Sequence, residues 1–143
     1  MSGREMIETE ITDLDTEIMD GSRYRRKRYK PRTITVGYQL IAKSNAEFRN
    51  AYNKLNSLLD VAEAKLIFLD EPDKYYVGTK VNAGDVPHGR NAITAEIEFY
   101  CSDPFKYSVE EYEVAPTADD GTTFVVDYKG TYKAHPTFEA VME

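Results

Sequence analysis

The stretch "LIFLDEPDKYYVG", residues 66 to 78, brings three carboxylates, Asp70, Glu71 and Asp73, within four positions around Pro72. Such a group is raw material for a divalent-cation site or a metal-dependent hydrolase, where several oxygens must converge on one ion. Calcium loops achieve this with acids at alternate positions and a glycine turn. Here Pro72 restricts Glu71 to extended geometry, which points neighbouring carboxylates apart. The favoured reading is a solvated corner that ends one strand and aims the next, leaving Tyr75 and Tyr76 on opposite faces. The same grammar returns in "EFYCSDPFKY", where Asp103 and Pro104 follow another apolar strand.

Other reactive side chains are sparse. His88 sits in the Gly/Pro loop "VPHGR" and His135 directly precedes Pro136, neither with an acid or nucleophile at fixed spacing. The single cysteine, Cys101, excludes an internal disulfide framework and any multi-cysteine zinc cluster. It falls on the inward register of its strand and reads as a small core residue. There is no Gly-rich phosphate loop, serine elbow or zinc-helix motif. The expectation is a protein that catalyses nothing and holds neither cofactor nor metal.

The strongest lead is electrostatic. The segment "RYRRKRYKPR" holds Arg23, Arg25, Arg26, Lys27, Arg28, Lys30 and Arg32 and no acid, with Tyr24 and Tyr29 between them. It takes seven of the 18 basic residues, leaving 11 against 25 acidic ones, so a +7 segment faces a −14 remainder. Three readings stand. The segment could dock on an acidic protein partner, including a copy of itself. It could be a solvated loop, or it could neutralise phosphates and stack bases as a nucleic-acid-binding module over residues 23–32. Flanking runs "TEITDLDTEIMDG" and "TITVGYQL" suggest two strands leading into and out of it as a long hairpin. A hairpin standing alone is marginally stable, so it should lean on something.

These groups need a scaffold. A chain of 143 residues with 41% hydrophobic and 12% aromatic content suits one globular domain. No run approaches the roughly 18 apolar residues of a membrane span, and "MSGREMIETE" has no apolar signal core, so cytoplasmic synthesis is expected. "SNAEFRNAYNKLNSLLDVAEAK" reads as a helix opened by a Ser44/Glu47 capping box. Phe48, Ala51, Tyr52, Leu55, Leu58, Leu59 and Ala62 would line its buried face. Ile34, Val36, Tyr38 and Leu40 alternate with polar residues or glycine in one strand. Ile93, Ala95, Ile97, Phe99 and Cys101 do so in another. "KLIFLD" reads as a strand covered on both faces, and "YYVGTKV" should pair with residues 92 to 101. "EEYEV", "TTFVVDY" and "TFEAVM" read as further short strands. The class expected is α+β, mainly an antiparallel β-sandwich with one flanking helix and an extended β-hairpin arm.

The two corners at this spacing resemble the N-terminal domain of siphophage distal tail proteins. The matching positions are Phe68, Asp70, Glu71, Pro72, Tyr75 and Tyr76, then Phe99, Cys101, Asp103, Pro104, Phe105 and Tyr107. "DGSRYRRKRYKPRTITV" is similar to that family's Asp-Gly hairpin leading into an Arg-containing strand, through Asp20, Gly21, Arg32, Ile34 and Val36. The resemblance implies a tail-tube-like fold and a ring of six copies in the virion tail. That ring joins the tail tube to tail-tip or tail-fibre proteins, and DNA only passes through it. It also implies that residues 23–30 and Arg32 form an arm reaching the next subunit. Residues 1–132 would be the ring-forming domain. Residues 133–143 resemble only the first strand of a second, lectin-like domain, and the resemblance leads one to expect that the family's usual opening residues are absent from this sequence.

Overall fold

A computed structural model describes residues 1–15, 18, 20–84, 89–114 and 125–139. The chain divides into two units, Met1–Glu110 and Glu111–Glu143. All regular structure among the described residues lies in the first.

The first unit is built on an antiparallel sheet of β3 (Arg32–Ile41), β6 (Ala92–Cys101), β5 (Glu71–Asn82) and β4 (Ala64–Phe68), in that order. A two-residue strand, β7 (Tyr107–Ser108), also pairs with β5. β1 (Thr9–Asp15) and β2 (Ser22–Tyr29) form a separate two-stranded ribbon. The helix α1 (Asn45–Leu59) connects β3 to β4. This is the mainly antiparallel α+β architecture expected, with one helix and a hairpin arm.

Strand alternation placed the core correctly. On β3 and β6, Ile34, Ile93, Ile97, Phe99 and Cys101 are buried, and Ile34 stands opposite Phe99. Tyr76 joins Ile34 and Cys101, with Val36, Leu66 and Phe68 packed around them. Gly78 belongs to this inner layer for steric reasons. A Cβ there would lie 3.0 Å from both Cys101 Sγ and a Leu66 methyl. Tyr75 turns to the other face, its ring centre 5.9 Å from that of Tyr107.

Ser44 caps α1 as expected, accepting the Glu47 N–H at 3.2 Å. Glu47 reaches back to the N–H of Lys43, one residue beyond the usual capping-box partner. The buried stripe is narrower than its periodicity predicts. Phe48 is fully buried, but Leu58 is 66% exposed and Ala62 lies beyond the helix end. The physical reason is angular: α1 meets Tyr38 and Ile97 through Tyr52, Leu55 and Leu59, and Leu58 lies on the flank of that line, turned to solvent.

Two further expectations are corrected. β4 is an edge strand covered on one face only, leaving Ile67 half exposed and Leu69 in solvent. Apolar composition alone cannot distinguish a central strand from such an edge. "EEYEV" makes no strand, because the ladder on β5 is completed earlier by Tyr107 and Ser108. Of "TTFVVDY" and "TFEAVM", the described parts are irregular and the rest lies outside the described residues, as does His88. No helix among the described residues is long and apolar enough to cross a membrane.

Candidate functional site

The two corner motifs are neighbours in space. Asp70 sits in the turn between β4 and β5, and Glu71 opens β5. Residues 102–106 link β6 to β7, which follow one another along the same partner strand. Lys106 Nζ therefore meets both Glu71 carboxylate oxygens at 2.7 Å, and Lys74 Nζ meets one at 2.9 Å. These bonds, that from Lys106 first, hold the Glu71 carboxyl down at about 2 despite some desolvation. In the second corner, Asp103 accepts the Phe105 N–H at 3.0 Å and the Tyr107 hydroxyl. The Asp103 bond and burial push the Tyr107 phenol up to about 12.

The N-terminal segment closes over this junction. Ser2 and Thr35 exchange two backbone hydrogen bonds of 3.0 Å along the β3 edge. Gly3 makes that approach possible. Its φ is +90°, and a Cβ would fall 2.0 Å from the Thr33 carbonyl oxygen. Arg4 then places its guanidinium 4.4 Å from the centre of the Phe68 ring and donates to both Asp70 oxygens at 2.8 Å. Arg32 lies 5.4 Å from the Tyr76 ring centre and donates to the carbonyls of Gly3 and Glu5. Two arginines thus staple the N-terminus across the aromatic pair.

The three acids of the first corner do not converge. Asp70 faces Arg4, which also reaches Glu71 at 3.6 Å; Glu71 is held mainly by Lys106 and Lys74, and among the described residues Asp73 meets Lys74 alone, at 4.0 Å. Among the described residues no group of three or more acids, histidines or cysteines is placed to hold a metal ion. Cys101 is buried, and burial pushes its thiol up from the ordinary value, away from the thiolate a nucleophile needs. Of the motif positions, Pro72 stands exposed at the start of β5, while Pro104 is buried in the second corner.

The basic run is a strand. Arg23, Tyr24, Arg25, Arg26, Lys27, Arg28 and Tyr29 lie in β2, which is exposed along its whole length. The strand opposite it is acidic β1, so the hairpin closes within residues 9–29, and "TITVGYQL" belongs to the main sheet instead. Arg28 pairs with Glu10, and Lys30 with Glu8 at 3.0 Å. Arg32 stands outside the ribbon, at the start of β3. At the ribbon's base, Tyr29 meets Phe105 edge to face with centroids 5.2 Å apart. The arm is therefore anchored to the second corner, as a marginal hairpin requires.

Arg4, Lys106, Glu8 and Glu10 were not singled out by sequence reasoning. Lys106 was legible as part of the repeated corner, and the acids of "TEITDLD" were legible as cross-strand partners. Nothing local marks Arg4, whose partner lies 66 positions away.

Residues 2–101 match the model of the phage tail protein RIFT-related domain, and the chain belongs to this family of structural phage tail proteins. It is similar to the Dit protein of SPP1, with a TM-score of 0.65 and 25% sequence identity. That structure is described as a paradigm of the hub adsorption apparatus in phages infecting Gram-positive bacteria. The match covers 74% of this chain and 44% of that one, so the chain spans less than half the length of that Dit protein. No curated protein sequence matches the chain.

Proposed function

We propose that this chain is the ring-forming part of a distal tail hub, in which copies associate head to tail, six to a ring. The ring joins the tail tube to the tail-tip or tail-fibre proteins of the virion, and DNA crosses it only in transit. The chain is made in the bacterial host and has no catalytic duty. The observation that carries this reading is the arm: an exposed ribbon anchored at its base, on a domain of Dit-like fold. A ring with a heterologous interface needs two different, complementary surfaces on each copy. The ribbon supplies one and the acidic body the other.

Single exposed ion pairs contribute only about 0–1 kcal/mol, so charge orients the contact while apolar groups of the ribbon such as Leu14 supply affinity. Native mass spectrometry and negative-stain electron microscopy at moderate salt test the reading. Six-membered rings are expected, and reversing Arg23, Arg25 and Arg26 should abolish them with the fold intact. A chain that stays monomeric at high concentration would overturn the proposal.

A further inference from the structure

The ribbon has two chemically different faces. Residues directly opposite in an antiparallel pair share a face. Arg23 stands opposite Leu14, Arg26 opposite Thr12 and Arg28 opposite Glu10, so these three arginines lie on one side. Tyr29 opposite Thr9, Lys27 opposite Ile11 and Tyr24 opposite Asp13 occupy the other. Arg28 is answered by Glu10 within the ribbon. The residues directly opposite Arg23 and Arg26 are uncharged, and among the described residues neither arginine makes an ion pair or hydrogen bond, although Arg26 also acts on Glu10 at longer range.

A matching gap exists on the body. α1 covers the inner face of the sheet, near Tyr38 and Ile97. On the outer face Glu96 stands opposite Gly37, and Glu98 lies between Thr35 and Asn82. No cation is paired with either carboxylate among the described residues. Tyr100, 44% exposed, continues the row between Thr33 and Thr79. Two glutamates at alternate positions of one strand are about 7 Å apart. Unanswered, they repel; two guanidiniums presented by a second strand at similar spacing would turn that repulsion into charge-assisted hydrogen bonds. Leu14, on the arginine face, would meet the apolar ring of Tyr100.

We infer that the outer face of β6, at Glu96, Glu98 and Tyr100, receives the arginine face of the next copy's ribbon, through Arg23 and Arg26. This rests on the ring reading above and specifies its acceptor. A second copy is the occupant because one chain carries both halves of the match. A nucleic acid would use the arginines but would be repelled by the glutamates.

The test uses R23E/R26E and E96R/E98R, each made in the full chain and checked for native circular dichroism. Alone, each should lose ring assembly at least tenfold in midpoint concentration. Mixed in equal amounts they should regain it, because every arm then finds a face of opposite sign. If E96R/E98R fails to fold, E96Q/E98Q replaces it, with the same tenfold weakening expected. If the parent forms rings and the Glu96/Glu98 variants form them equally well, the acceptor is wrong and the ring reading survives. Two folded variants that stay apart on mixing overturn the acceptor likewise. A parent chain that never assembles overturns both.

Discussion

Lys106 and Glu71, 35 positions apart in sequence, clamp the two corner motifs together through a pair of 2.7 Å hydrogen bonds. The recurrence of an acid-proline corner is thus a single joint built from two halves. Around it gather the N-terminal staple and the foot of the arm, so changes here should reach both.

The joint should make stability acid-sensitive. Because Lys106 and Lys74 depress the Glu71 pKa from the usual 4.5 to about 2, the contribution is complete above about pH 4.5 and lost as the pH falls toward 2. Partly exposed as it is, the group is screened, and E71Q should cost about 1 kcal/mol at pH 7. Urea midpoints of parent and E71Q, measured from pH 7 down to 3, should converge. A constant gap would refute the assignment.

Gly3 should be intolerant of any side chain. Its positive φ and the Thr33 carbonyl leave G3A no place for a methyl, at a cost of roughly 1–3 kcal/mol or detachment of the segment. Hydrogen exchange can separate these outcomes. Detachment would accelerate exchange at the Thr35 amide, which donates to Ser2, while amides in the β3–β6 ladder remain protected.

The helix offers an internal comparison. F48A empties a fully buried site and should cost about 3–5 kcal/mol. L58A trims an exposed side chain and should stay within about 0.5 kcal/mol. Thermal or chemical unfolding of the pair checks this, and comparable losses would mean that α1 packs differently.

In the second corner, D103A should bring the Tyr107 phenol down from about 12 toward its ordinary value of 10. The folded pKa is raised, so this hydrogen bond stabilises the protein below pH 10, and its contribution fades as the pH climbs through 12. Ultraviolet titration against Y107F isolates the transition. An unshifted Tyr107 in D103A would show that burial, and not Asp103, holds the proton.

How far the sequence carried the reading differs by element. Alternation in β3 and β6 named Ile34, Ile97, Phe99 and Cys101 as the inner layer, and Ser44 marked the helix start. Both signals are local, because strand pleat and helix cap are set by neighbouring residues. Leu58 and Ile67 defeated the same logic. Periodicity says which side of an element is apolar, but not how much of it the opposing layer covers.

The amino-acid order by itself determined an amphipathic helix, two half-buried strands, a pair of proline corners and one intensely basic run. Tertiary structure alone decided that the corners touch, that Arg4 pins the N-terminus to Asp70, and that β1 pairs Arg28 with Glu10 while setting uncharged residues opposite Arg23 and Arg26. The difference is one of range. Local patterns follow from backbone geometry over a few residues, whereas each of these contacts depends on strand order and register, which only the assembled sheets establish.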